Sequence, residues 1–266
     1  MTTATLERSR VVQPGFTDAL RAERIKLLSV RSTWWILFAL VVIGVGGTIL
    51  ICAPNAQWLS EPGADEAPGS FITGGIVFAQ IFAVVLGTLA VTGEYGTGMI
   101  RATLAATPTR GRVMAAKLVV IASTLFVVGT VTALLSYYAG NYFFEKEGIG
   151  MALEGDVMRS MYGGGLFLAG SGLFAAAVGF ILRHTAATMS IVLALMLVVT
   201  NLVLLIPGDT GRWIIKLMPA NAGSVVATPV PFNPLLLDAW AGFGVFVAEI
   251  AALVLVAWLV LRRRDA

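Results

Sequence analysis

Six long apolar stretches dominate this sequence and decide what kind of structure the chain can form. They cover residues 34–52, 71–92, 118–138, 161–182, 186–206 and 240–261. A helix of about 20 apolar residues crosses the hydrocarbon core of a bilayer, so stretches of this length are typical of membrane spans. Only 12% of the residues are charged, whereas about a quarter are charged in soluble domains. The sequence therefore predicts an all-α integral membrane protein, with six spans in a transmembrane domain of residues 34–262.

The basic residues are divided unevenly between the two sides of these spans. Most lie before the first span, between spans two and three, or after the sixth span, whereas the acids are concentrated in the other connections. Basic residues mark the cytoplasmic side of membrane proteins. Both termini are therefore predicted to be cytoplasmic. Arg is much commoner than Lys, and Ala, Gly and Val are abundant, a bias that indicates a GC-rich bacterial genome and hence the bacterial inner (plasma) membrane.

The chain offers little for catalysis. It has one His and one Cys, too few for the usual metal clusters, and the phosphate-binding loop G-x-x-x-x-G-K-[ST] is absent. Ser171 and His184 are 13 residues apart on one predicted helix, about 20 Å along its axis, too far for a nucleophile–base pair. No basic patch is interleaved with aromatic residues, so no nucleic-acid partner is expected. We expect a non-catalytic membrane subunit with no cofactor or metal of its own.

The connection between spans two and three is longer than a hairpin of antiparallel helices requires. The second span is predicted to end near Thr92, because glycines follow it and Glu94 favours water. Residues 99–106 then form a short predicted helix, which Pro108 ends. This helix is either part of an ordinary hairpin anchored by basic residues or a docking helix for a soluble partner.

Three stretches carry a family pattern. In chain order, the first is LRAERIKLLSVRSTWW (residues 20–35). The second, between spans two and three, comprises Glu94, Gly98, Met99, Ile100, Arg101, Leu104, Pro108, Arg110 and Lys117. The third combines LMPANAG with LLLDAWAG (residues 217–223 and 235–242). On a six-span topology, the set resembles the ABC transporter permeases of the type-2 exporter class over about residues 16–264.

This resemblance implies a function and a set of partners. In the family, the loop between spans two and three carries a coupling helix that docks into a cleft of an ATPase subunit. The implied docking residues here are Glu94, Gly98, Met99, Ile100, Arg101, Leu104, Pro108 and Arg110. Two separate ATPase subunits would bind ATP and Mg, and a second permease, identical or related, would complete a pathway that works by alternating access.

The segment before the first span has an amphipathic pattern of its own. Residues 14–33 are predicted to form a connecting helix along the cytoplasmic interface, whereas residues 1–13 lack periodicity and are predicted to be disordered. Leu20 and Leu27 belong to its apolar stripe, Glu23 interrupts that stripe, and Lys26 lies off it. The resemblance assigns the same segment to the family's connecting helix, and an interfacial anchor without further function remains the alternative.

Polar residues inside the predicted spans are few. Glu249 and Asn201 are candidates for an intramembrane polar site, although a structural role is equally open for both. Gly172 and Ala176, with Ala175 and Gly179, give the fourth span the spacing of a close helix-packing face. The apolar segment before the sixth span is short and interrupted by Pro219, which predicts a broken outer helix. A secondary transporter or channel, or a membrane scaffold, remains the alternative function.

Overall fold

A computed structural model of the chain describes residues 15–100, residue 103 and residues 109–263. The predictions for residues 1–13 and for Arg101, Leu104 and Pro108 concern positions outside these residues. The described part is built from helices without a β-strand. In chain order these helices are α1 (Phe16–Ser29), α2 (Arg31–Ser60), α3 (Pro68–Phe71), α4 (Gly75–Gly96), α5 (Arg110–Lys146), α6 (Gly155–Leu182), α7 (Thr185–Leu205), α8 (Gly208–Leu217), α9 (Pro219–Ser224) and α10 (Ala239–Arg263).

The predicted all-α membrane architecture with six spans is confirmed. Six segments of the described chain are long and apolar enough to cross a membrane: α2, α3 with α4, α5, α6, α7 and α10. Several of them are longer than the apolar runs on which the prediction rested. The helix α5 has 37 residues, or about 55 Å at 1.5 Å per residue, so it extends well beyond a hydrocarbon core of about 30 Å.

The helix α6 is the central helix of the bundle. Of its most apolar window, 72% is buried, a larger share than in any of the other spans. It packs against α4, α5 and α10, and its small residues allow close approach. A Cβ atom on Gly87 of α4 would lie only 2.1 Å from the carbonyl oxygen of Gly172 in α6. The small-residue spacing predicted for this span therefore serves packing inside the chain.

The end of α4 differs from the sequence-based prediction. The helix continues past Thr92 to Gly96, and the Glu94 side chain is buried instead of reaching water. The reason lies in other helices: Glu94 accepts hydrogen bonds from two lysine side chains. Such partners offset the desolvation of the carboxylate, and neither their identity nor their distance is visible in the local sequence.

The opposite end of the bundle is closed by a broken helix. The chain bends at Met218, between α8 and α9, and a 3₁₀ turn (Val225–Ala227) follows α9. The Arg159 guanidinium of α6 holds this turn by donating to four carbonyl oxygens: those of Val225 and Val226, at 3.2 and 3.1 Å, and of Thr228 and Pro229, at 3.3 and 3.4 Å. A broken helix before the last span was predicted, but the arginine that holds it was not.

Candidate functional site

Four charged side chains meet where α1, the end of α4 and the start of α5 converge. Lys117 Nζ lies 2.5 Å from Glu23 Oε2 and 2.9 Å from Glu94 Oε1. Lys26 Nζ lies 2.9 Å from Glu23 Oε1 and 3.1 Å from Glu94 Oε1. We call Glu23, Lys26, Glu94 and Lys117 the four-charge cluster. Each lysine bridges both carboxylates, so the cluster is electrically neutral and joins three helices.

Burial makes these ion pairs different from surface salt bridges. The side chains of Glu23, Glu94 and Lys117 are each only 5% exposed, and that of Lys26 is 29% exposed. Moving a charge out of water costs several kcal/mol, and an opposite charge at hydrogen-bond distance offsets most of this cost. Removing any one member leaves a buried charge without its full complement. The positions of the three helices are therefore coupled through the cluster.

The local sequence explains how each side chain reaches the cluster. Glu23 and Lys26 are three residues apart on α1, so both point from the same face of that helix. Glu94 lies in the last turn of α4, and Lys117 lies in the second turn of α5. The interruption of the apolar stripe of α1 by Glu23 thus has a cause, because this buried carboxylate faces the bundle and not the bilayer.

Lys26 also reaches the connection between α4 and α5. Its Nζ donates a 3.0 Å hydrogen bond to Oγ1 of Thr103. Burial alone lowers the pKa of Lys26, but the carboxylates of Glu23 and Glu94 outweigh burial and raise the pKa above its ordinary value. Lys26 is therefore charged throughout the physiological pH range. The predicted docking segment is thus hydrogen-bonded to the same residue that ties α1 to α4.

The other predicted docking residues lie close to this cluster where they are described. Gly98 has a φ of +72° and turns the chain away from α4. Met99 is 43% exposed, whereas Ile100 is buried. Ile100 therefore packs inside this chain, whereas Met99 is an apolar side chain that a partner can reach. Arg110 Nη1 donates to the Leu261 carbonyl at 2.8 Å, which anchors the start of α5 to the end of α10.

A cavity of about 460 Å³ adjoins the four-charge cluster. Its walls come from α1, α2, α4 and α5 and are mostly apolar, with Leu27 of the predicted connecting helix and Met99 among them. Leu20 of the same helix is half-buried. The cavity leaves room beside the cluster, so the neighbouring helix ends are not fully packed against each other.

Glu249 and Asn201 do not join this site. Asn201 Nδ2 donates to the Leu197 carbonyl of its own helix at 2.6 Å, and its side chain is exposed. Glu249 is half-buried in α10, and its Oε2 atom is buried without a hydrogen-bond partner among the described residues. Neither residue belongs to the four-charge cluster. Within the described ranges, no group of three His, Cys, Asp or Glu side chains is placed to hold a metal ion.

The sequence pointed to part of the site. Glu94, Glu23 and Lys26 were singled out, but as members of separate helices, and Lys117 was seen only as part of a loop pattern. The usable signal in the sequence was Glu23 within the apolar stripe of α1, because a carboxylate on an apolar helix face needs a partner. In comparisons with known proteins, no protein-family model and no curated protein matches the chain.

Proposed function

We propose that the chain is the membrane-spanning permease subunit of an ATP-driven exporter of the ABC type. In this proposal, two separate ATPase subunits dock on the connection between α4 and α5, and a second permease completes the substrate pathway. The chain itself hydrolyses nothing, and ATP and Mg bind to the partner subunits. The host membrane is the bacterial inner membrane, and both termini face the cytoplasm.

The observation that carries the proposal is the link between the docking segment and three helices. Thr103 lies in that segment and accepts a hydrogen bond from Lys26, which also pairs with Glu23 and Glu94. A displacement of the segment is therefore resisted by a buried ionic network instead of being absorbed by a loose loop. Such a connection suits a helix that must pass motion from a soluble motor to the spans.

The exposed apolar side chain of Met99 supports the same function. A surface methionine next to a buried ionic anchor gives a partner an adaptable apolar contact on a rigid base. Interfaces draw most of their binding energy from a few such anchors. Met99 is 43% exposed while its neighbour Ile100 is 5% exposed, so Met99 is the described residue that best fits the role of partner contact.

The test compares two methionines of equal exposure. Met99→Asp puts a charge into the proposed interface, whereas Met158→Asp puts it at the start of α6, where Met158 is 44% exposed. We expect Met99→Asp to weaken co-purification with a co-expressed ATPase subunit of the ABC type by at least roughly tenfold, the effect of a buried unpaired charge. Met158→Asp should behave as the wild type does. Equal binding by both variants would refute the docking role.

The main rival is a transporter or channel that works without ATP. It requires charged groups along an intramembrane pathway, and Glu249 is the candidate. Reconstitution with the ATPase separates the two functions, because transport by the proposed exporter stops when ATP is withheld. Transport that continues without ATP and is abolished by Glu249→Gln would favour the rival.

A further inference from the structure

A second cavity of about 410 Å³ lies at the end of the bundle opposite the four-charge cluster. It is enclosed by the start of α4, by α7, and by the broken helix α8–α9 with the segment that follows it. Gln80 lines it, and 14 residues of α4 separate Gln80 from Glu94, or about 21 Å at 1.5 Å per residue. The cavity is therefore distinct from the proposed docking site and needs its own explanation.

Gln80 carries an unsatisfied acceptor in the wall of this cavity. Its side chain is almost fully buried, and Nε2 lies 3.3 Å from Ser171 Oγ and 3.0 Å from Met196 Sδ. The Ser171 hydroxyl donates its hydrogen to the Phe167 carbonyl at 2.8 Å, so Ser171 can only accept from Gln80. This fixes the orientation of the amide and leaves Gln80 Oε1 buried without a partner among the described residues.

Ser70 repeats this pattern at another point of the lining. Its side chain is 1% exposed, and its Oγ atom also lacks a partner within the described part of the chain. A buried polar atom without a hydrogen bond costs about 1–3 kcal/mol. Two such atoms in the wall of one cavity are costly for the empty fold, and a bound molecule with hydrogen-bond donors removes that cost.

Five further polar side chains of the lining offer acceptors as well, whereas the side-chain oxygen of Asn233 already accepts the Leu235 N–H. Thr200, Asn201, Asn221, Ser224 and Thr228 each use a side-chain donor on a backbone carbonyl, at distances of 2.6–3.3 Å. Their oxygen lone pairs therefore remain as acceptors. Among the described residues, no Asp, Glu, Lys, Arg or His side chain lines the cavity, so a charged group placed there would meet no charged side chain in the lining.

The helix α7 departs from regular α-helical geometry where it lines this cavity. Its segment Ala194–Val199 forms a π-helix, a rare geometry that is found frequently at functional sites. Met196 and Leu197 of this segment line the cavity, and Met196 meets the Gln80 amide. Val77 and Leu204 extend the lining on its apolar side, and both are exposed towards the surroundings of the bundle.

We propose that this cavity binds an uncharged amphiphile with a hydroxyl-rich head, such as the sugar head of a neutral glycolipid. The hydroxyl groups donate to Gln80 Oε1 and Ser70 Oγ, and the hydrocarbon chain leaves along Val77 and Leu204. Anionic lipid heads are disfavoured because no cationic side chain of the described residues lines the cavity. The inference does not depend on the ATPase, since binding is measured on this chain alone.

The experiment uses the full chain in phosphatidylcholine nanodiscs and a glucosyl diacylglycerol with a photoreactive acyl chain. We expect saturable labelling of residues 197–204, displaced by unlabelled glucosyl diacylglycerol but not by phosphatidylglycerol with the same chains. Gln80→Leu should weaken binding roughly tenfold, the loss of one buried hydrogen bond. Leu204→Trp, which fills the rim from an exposed position, should weaken it as well.

Gln57→Leu is the matched control, because Gln57 is an exposed residue of α2 outside the cavity lining. It should bind as the wild type does, and all variants should keep the wild-type elution profile in size-exclusion chromatography. Displacement by phosphatidylglycerol as effective as that by the glucosyl lipid would overturn the proposal. So would equal binding by the Gln80→Leu and Gln57→Leu variants, or displacement by free glucose at the same concentration as the lipid.

Discussion

Lys117 is the more deeply buried of the two lysines in the four-charge cluster. Its Nζ touches both carboxylates, and its side chain is as buried as theirs. Lys26, by contrast, is partly exposed and keeps some contact with water. The two lysines are therefore unequal: Lys117 is the internal counter-charge of the cluster, whereas Lys26 connects the cluster to the segment around Thr103.

Replacing Lys117 by methionine keeps the size of the side chain but removes its charge. We expect Lys117→Met to lower the free energy of unfolding by about 3–5 kcal/mol, because Glu23 and Glu94 then share one lysine. Unfolding in sodium dodecyl sulfate titrations measures this loss. The control is Lys146→Met at the far end of α5, where the ammonium is exposed and lies 4.3 Å from the Tyr142 ring centre; its cost should stay below about 1 kcal/mol.

A double variant separates charge imbalance from lost packing. Adding Glu94→Gln to Lys117→Met restores neutrality, so the double variant should be more stable than Lys117→Met alone. If the two changes were simply additive, the cluster would not act as an ionic network.

At this scale the sequence was informative about residue types but not about pairing. Glu94 was predicted to face water because an acid after an apolar run ends a span in most chains. The outcome was decided by Lys117, 23 residues further along the chain, and by Lys26 of α1. Pairings across helices depend on the packed geometry, which hydropathy does not contain. The buried amide of Gln80 was missed for the same reason.

Among the helices, the contact between α4 and α6 is the closest backbone approach described above. Gly87→Ala would bring a Cβ against the Gly172 carbonyl, and backbone atoms cannot rotate away. We expect a loss of about 3 kcal/mol in unfolding free energy, the upper end of the range for overpacking. On the same helix, a Cβ on Gly93 would meet nothing within 4 Å, so Gly93→Ala should be neutral or stabilise the chain by up to about 1 kcal/mol.

The 3₁₀ turn Val225–Ala227 depends on one side chain of another helix. Arg159→Met removes the donors to its carbonyl oxygens, so we expect the amides of residues 224–228 to exchange hydrogen faster by at least roughly tenfold. Hydrogen-exchange mass spectrometry provides the measurement. Arg212→Met is the control, because within the described part of the chain Arg212 makes only an exposed pair with Asp209 at 3.4 Å. An unchanged exchange rate in Arg159→Met would show that Arg159 does not hold this turn in place.

The sequence predicted whole helices correctly wherever the length of an apolar stretch determines whether a span forms. All six spans were found, and the break at Pro219 was expected because proline cannot continue a helix. The π-helix in α7 was not foreseen, since its residues have the composition of an ordinary span. Met196 of this π-helix contacts Gln80 of another helix, and such a contact depends on the packed structure.

For the molecule as a whole, the charge asymmetry predicts one orientation in the membrane. In a Cys52→Ala background, Arg112→Cys should react with a membrane-impermeant maleimide only from the cytoplasm. Asp65→Cys should react only from the outside. Both positions are exposed in the fold, whereas the native Cys52 is fully buried. Labelling with the sides reversed would place the proposed docking segment outside the cell and exclude an ATPase partner.

The neutrality of the four-charge cluster also has a consequence for the biogenesis of the chain. The ribosome releases Glu23, Lys26 and Glu94 before Lys117, so a nascent chain without α5 carries one acid too many for the interior of the bundle. Until α5 is made, Glu23 and Glu94 have Lys26 as their shared counter-charge, so burying both carboxylates costs more than it does in the finished bundle. The burial of Glu94 therefore depends on a helix that is synthesised after its own.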